Sequence, residues 1–202
     1  DAKTWTVTTT ADSATDTGSI RYIVLKADDG DTIEFTSGGA TLTDYLKLDK
    51  KLTIEGPATI TQTGGNRIFH ISAGVGVTLK KLTLTGGGRN MWEGGAIYSS
   101  GSLTMEDCTV SGNSCVGEGG GIFSSGSLKM ENCVIENNSA GNRCGGVVNR
   151  GKLEIDGGKI RNNSCGSGGS SALFNAGGAS AEIENCEIAN NTGWGGAGGL
   201  KN

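Results

Sequence analysis

The sequence predicts a single-stranded parallel β-helix built from coils of about 25 residues. Three observations predict it: an internal repeat, a strand-type alternation inside each copy, and chemically uniform ladders when the copies are stacked. The segment Gly94-Gly95-Ala96-Ile97-Tyr98-Ser99-Ser100-Gly101-Ser102-Leu103-Thr104-Met105-Glu106-Asp107-Cys108 returns 25 residues later as Gly119-Gly120-Gly121-Ile122-Phe123 through Met130-Glu131-Asn132-Cys133. A third copy begins at Gly145-Gly146-Val147-Val148, and a fourth carries Leu173-Phe174-Asn175 and, after a short insertion, Glu182-Ile183-Glu184-Asn185-Cys186. A fixed period of this length is the mark of a solenoid, in which each repeat buries its apolar face on its neighbours. The repeat also separates this chain, with 37 Gly and one Pro in 202 residues, from aperiodic low-complexity sequences.

Within each copy the apolar residues alternate with polar ones, as Leu103 and Met105 do with Ser102, Thr104 and Glu106, which is a strand period and not a helical one. Stacking the copies predicts ladders of Leu103, Leu128 and Leu153, of Met105, Met130, Ile155 and Ile183, and of Val110, Ile135, Ile160 and Ile188. Cys108, Cys133 and Cys186 share an inward slot that Gly158 leaves empty. Asn113, Asn138, Asn163 and Asn191 line a corner, where Asn tolerates left-handed backbone and its amide bonds its copies above and below.

The remaining segments follow the same grammar. Residues 94–202 are the regular coils, and residues 32–93 are first coils of less regular sequence, with short alternating runs at Thr32-Ile33-Glu34-Phe35, Leu52-Thr53-Ile54-Glu55, Val77-Thr78-Leu79 and Leu82-Thr83-Leu84. Residues 1–31 form an N-terminal cap whose one helical segment follows Ser19 as N-cap, with Ile20, Ile23, Val24 and Ala27 on one face. The whole chain reads as one domain. Residues 198–202 open a further repeat, and an open coil predicts end-to-end self-association.

Composition excludes much familiar chemistry. Seventeen Lys and Arg against 21 Asp and Glu give a net charge of −4, with no basic cluster to follow a phosphate backbone, so nucleic acid is not an expected partner. No apolar run approaches the ~18 residues of a membrane span, and the first residues lack the layout of a signal peptide. With one histidine, His70, and no Cys-x-x-Cys pair, neither a zinc centre nor a triad is provided for.

The repeated Gly-Gly-Ala-Ile of residues 94–97, with its variants Gly120-Gly121-Ile122 and Gly145-Gly146-Val147, is followed by Val110-Ser111-Gly112-Asn113, Ile135-Glu136-Asn137-Asn138, Ile160-Arg161-Asn162-Asn163 and Ile188-Ala189-Asn190-Asn191. These motifs resemble the polymorphic outer membrane proteins of chlamydia-like bacteria and related autotransporter-like surface proteins, with an aliphatic residue in place of the family's Phe. The resemblance implies a right-handed, pectate-lyase-like β-helix, an extracellular or bacterial cell-surface, outer-membrane-associated location, and adhesion to a host-surface protein or glycan; it does not imply an enzyme.

Four residue sets are candidates for function. The variable corner between the Asn ladder and the next Gly-Gly holds Met91, Trp92, Val116, Arg143 and Trp194, a set suited to a protein or glycan partner. Glu106, Glu131, Asp156 and Glu184 form an acidic ladder that is a solvated edge or, alternatively, a Ca²⁺ site. Cys115, Cys144 and Cys165 crowd the variable corner, so one disulfide is expected there, Cys115–Cys144 in preference to Cys144–Cys165, while Cys108, Cys133 and Cys186 stay reduced. A lyase- or hydrolase-type or lectin-like reading would use Arg67, His70 and Arg89, but no repeat places these beside the acidic ladder. Some β-helices bind ice through flat rows of Thr. Here Thr104 is followed on its row by Lys129, Glu154 and Glu182, so that row does not exist and ice binding is not expected.

Overall fold

The structure, a computed structural model, describes residues 1–36, 38–167, 169–194 and 198–201. It is a parallel β-helix of about eight turns. All strand pairs are parallel, and each strand pairs with its counterparts in the preceding and following coils.

Three faces and one corner repeat around the axis. The first face runs from Thr4–Val7 and Thr32–Phe35 through the front parts of Leu52–Gln62 and Gly76–Thr85 to Ser102–Glu106, Ser127–Glu131, Lys152–Asp156 and Ser180–Glu184. The second takes Gly39–Leu42, the back parts of the same two long strands, then Thr109–Ser111, Val134–Glu136, Lys159–Arg161 and Glu187–Ala189. A four-stranded corner at Ser114–Cys115, Ser139–Ala140, Ser164–Cys165 and Thr192–Gly193 leads to the third face, a seven-stranded sheet from Leu46–Leu48 to Leu200–Lys201. Asn202 lies outside the described residues.

The expected ladders are present residue for residue. Leu103, Leu128 and Leu153 are in register, as are Met105, Met130, Ile155 and Ile183, and the Val110 ladder extends upstream through Leu84 and Ile60. One continuous apolar core runs from Val7 to Leu173. Burial of roughly 25 cal/mol per Å² of apolar surface drives each coil onto the next. The Asn ladder is a chain of amide bonds: Asn113 Nδ2 donates to Asn138 Oδ1, Asn138 to Asn163 and Asn163 to Asn191, each at 3.0 Å. The left-handed backbone, however, belongs to the residue before each, Gly112, Asn137, Asn162 and Asn190. The ladder Asn keeps ordinary φ so that its side chain turns inward.

The helix is Ile20–Lys26, with the Ser19 hydroxyl accepting from the Tyr22 N–H and Ile20, Ile23 and Val24 buried. It packs on Thr4–Val7 and Leu46–Leu48, taking the place that a third-face strand would hold in the first coil. The sheet nevertheless begins ahead of the helix, because Thr4–Val7 already pairs with Thr32–Phe35. Two carboxylates fasten this end. Asp31 accepts from the Lys3 and Asp28 N–H groups and the Trp5 indole, and Asp12 binds Arg21 and the Thr43 N–H.

Candidate binding site

The row of the third face that points away from the main core is rich in aromatic side chains, with Phe123 and Val148 buried and Tyr98 and Phe174 partly buried against them. Stacking puts Lys47, His70, Tyr98, Phe123, Val148, Phe174 and Lys201 in one register. The rings follow one another: Tyr45 to His70 at 5.9 Å, His70 to Tyr98 at 5.1 Å edge-on, and Tyr98 to Phe123 at 5.3 Å, stacked. Three guanidinium groups lie over them, Arg67 on Tyr98 at 4.9 Å, Arg150 on Phe123 at 5.4 Å and Arg143 on Phe174 at 4.7 Å, in the geometry of cation–π attraction. Between the last two, Glu118 is nearly buried and takes Arg150 at 2.7 Å and Arg143 at 3.1 Å.

Arg67 differs from the other two. Its Nη2 meets Met91 Sδ at 3.3 Å, and among the described residues no carboxylate pairs with it. Burial lowers its pKa, an effect that Tyr98 and Glu93 oppose. His70, half-buried next to Arg67 and Lys47, is likewise pushed down by burial first and by those two cations second. It is therefore neutral at neutral pH.

The variable corner adjoins this row and divides into two groups. Met91 and Trp92 stack on Val116 and Gly117 through backbone bonds from the Val116 and Gly117 N–H groups. A Cβ on Gly117 would meet Trp92 Cε2 at 2.8 Å, so the indole lies on a strip of bare backbone with its remaining surface, 62%, open to solvent. Met91, Trp92, Val116 and Arg67 thus form one patch. Arg143 stands one coil further on, turned to Glu118 and Phe174. Trp194, 84% exposed, is four coils from Trp92, about 19 Å along the axis at ~4.8 Å per strand. It does not share that patch.

The corner cysteines are not bridged. All six are free, and they fall into separate clusters: Cys115 and Cys165 flank Ala140 in the corner, whereas Cys144 packs against Phe123 and Val148. The expected Cys115–Cys144 disulfide is therefore absent, and so is Cys144–Cys165. Cys144 occupies the left-handed turn position held by Gly94 and Gly119 in the coils above, and that turn aims its side chain onto the third face. Burial pushes the Cys115 and Cys144 thiols up to about 12.

The acidic ladder is in register as expected, Glu106 to Glu131 to Asp156 to Glu184, beside Lys129, Glu154 and Glu182. It borders a shallow depression of about 270 Å³. Lysines answer the charge: Lys80 reaches Glu106 at 2.8 Å and Lys129 reaches Glu131 at 2.6 Å. Among the described residues no three His, Cys, Asp or Glu side chains converge on a point able to hold a metal. The ladder lies on the first face and His70 with Arg67 on the third, so the two halves of a lyase-type site are not brought together.

The stacked parallel coils and their inward ladders agree with the family model described as right handed beta helix region, which matches residues 19–167. The chain belongs to this family. No curated protein matches it. Within the right-handed β-helix, sequence reasoning reached the variable corner but missed Tyr98, Phe123, Glu118 and Arg150. Their signal was available, since Tyr98, Phe123 and Val148 stand at equal positions of successive Gly-Gly repeats. Among the described residues no helix is long and apolar enough to cross a membrane.

Proposed function

We propose that this β-helix is a secreted or bacterial surface-displayed binding protein of adhesin type, whose ligand is a host-surface glycan taken at the patch of Arg67, Tyr98, Met91 and Trp92. The observation that carries the reading is the pairing of an exposed indole with a stacked guanidinium that has no carboxylate partner among the described residues. A flat ring offers a sugar an apolar platform, and a fixed guanidinium fork suits a carboxylate or sulfate. Arg143 and Arg150 support the row but are engaged by Glu118, so they contribute shape more than free charge. A glycan array read alongside a host-protein array tests this. Binding to glycans that is lost in Trp92→Ala and Arg67→Met, and kept in Trp194→Ala, is expected; binding to host proteins alone would replace the ligand class.

A carbohydrate-active enzyme is the second reading, favoured by the neutral His70 held between Tyr45 and Tyr98 beside Arg67, a basic group placed as a proton acceptor. Turnover of acidic polysaccharides that disappears in His70→Ala would establish it in place of simple binding.

A further inference from the structure

The second face carries a regular array of hydroxyl groups that the binding patch does not use. Thr59, Thr83 and Thr109 stand in register in one outward row. Thr41, Thr61, Thr85 and Ser111 stand in the neighbouring one. The residues between them, Ile60, Leu84 and Val110, point into the core and are fully buried, so each Thr-x-Thr pair faces solvent. Strand geometry sets the array: ~4.8 Å between coils, and about 6.6 Å between the two rows at ~3.3 Å rise per residue. Parallel in-register pairing repeats both spacings without offset.

Two further observations distinguish this array from an ordinary exposed sheet. First, none of its seven hydroxyls bonds another group of the chain among the described residues, whereas Thr9, Thr43 and Thr63, outside it, donate to Asp16, Asp12 and the Leu42 carbonyl. Second, the array is free of charge. The same rows carry Val134, Lys159 and Glu187, and Glu136 and Arg161, as soon as the Thr residues end. The first face is an internal contrast. There Thr4, Thr32, Thr53, Thr78 and Thr104 form a single row. Thus the Thr104 row ends downstream as the sequence indicates but continues upstream, and the exclusion of ice drawn from that one row does not reach the rows of the second face. Its neighbouring row is Glu34, Glu55, Lys80 and Glu106, and those charges hold their own irregular hydration.

We propose that the second face, from Thr41 to Ser111, binds the surface of ice. Ice presents a neutral lattice of oxygens that repeats regularly in two directions, as the hydroxyls of the array do. Each Thr offers it a hydroxyl to join the lattice and a stiff β-branched methyl around which water is ordered. An uncharged array matches an uncharged lattice, and the rigid solenoid fixes the hydroxyls before contact, so little ordering is left to be done on binding.

The test uses the whole 202-residue chain, labelled at its N-terminal amine, and measures adsorption to a growing ice surface, crystal shaping and inhibition of recrystallisation. Wild type is expected to adsorb and shape ice. Thr61→Lys and Thr83→Lys are expected to lose this, with circular dichroism confirming the fold. Thr83→Val, which keeps the shape and removes one hydroxyl, is expected to weaken it. Thr78→Lys on the first face and Trp92→Ala at the binding patch are expected to leave it intact, which keeps the outcome independent of the glycan reading. The proposal is overturned if wild type does not adsorb, if folded Thr61→Lys and Thr83→Lys adsorb as well as wild type, or if Thr78→Lys abolishes the effect. Retention on crystalline cellulose without adsorption to ice would reassign the face to a neutral polysaccharide and overturn it equally.

Discussion

The coils before residue 86 and those after it bury the same kind of row and present different ones. Upstream, Leu52–Gln62 and Gly76–Thr85 cross from the first face to the second as single long strands, and the outward rows of the second face there hold only Thr and Gly, continued for one coil by Thr109 and Ser111. In the later coils the left-handed turn that Lys81 already makes recurs at Asp107, Asn132, Gly157 and Asn185, but there it splits the crossing into two strands, with the cysteine slot just inside the break. There the outward rows carry charges tied in pairs such as Arg161 with Glu136 and Lys159 with Glu187. Inward rows are constrained by packing and are interchangeable between the halves. Outward rows are not constrained by the fold, so they hold whatever distinguishes one face from another.

The sharpest way to break that comparison is to cut into an inward row. Ile135→Ala, at a fully buried position in the middle of its ladder, is expected to cost about 2–5 kcal/mol in guanidinium denaturation. Ile188→Ala, on the same ladder but only partly buried, should cost distinctly less. Equal losses would mean that ladder position does not govern stability. Asn138→Ala comes next. It deprives the Asn113 N–H and side-chain amide of their acceptor and the Val110 carbonyl of a donor, at roughly 1–3 kcal/mol for each group left buried and unpaired. An outward Thr109→Ser should stay within about 0.5 kcal/mol.

Gly158 tests whether the downstream break is steric. Cysteine there would complete the Cys108, Cys133 and Cys186 slot in sequence, but Gly158 has φ +82° and its Cβ would meet the Cys133 carbonyl oxygen at 2.1 Å. Gly158→Cys is therefore expected to destabilise by about 1–3 kcal/mol, with a thermal melt as the measurement. A stabilised variant would show that the slot is open after all.

Acid should separate the N-terminal end from the other coils. Asp31, through the N–H groups of Asp28 and Lys3 and the Trp5 indole, and Asp12, through Arg21 and Thr43 against the opposing effect of burial, are both held at about 2. Carboxylates lowered in the folded state stabilise it fully above the unfolded value of ~3.9, and that contribution is lost as pH falls through about 2. Hydrogen exchange is expected to speed up at the Lys3, Asp28 and Thr43 amides over this window, while the Asn113 and Asn138 amides, bonded to neutral side chains, stay protected. The smallest effect concerns the thiols. Without reductant, all six should titrate after denaturation, and in the folded protein Cys186, the one only half-buried, should react first. A bridged peptide in unreduced mass mapping would contradict the separation of Cys115 from Cys144.

The downstream ladders were legible because every coil has nearly the same length, so equal spacing in sequence is equal height on the axis. Upstream the coils differ in length, and only the paired strands reveal that Thr59 lies over Thr83 and Thr41 over Thr61. The variable corner could be found as the place where the repeat fails, but which way its side chains turn could not. Cys144 shows why: a left-handed residue where neighbouring coils have glycine carries its thiol away from Cys115 and onto Phe123. Trp92 and Trp194 likewise share a corner in sequence and are separated by the stacking height.

By itself the sequence determined the β-helix, the content of its inward ladders and its capping helix, because period and alternation dictate which residues must be buried together. Tertiary structure alone decided which outward side chains became neighbours, and so produced the arginine–aromatic row, the stacking of Arg67 on Tyr98 and the uncharged Thr array. Burial leaves a periodic trace in the chain; adjacency across coils depends on coil length and turn conformation, which no single repeat contains.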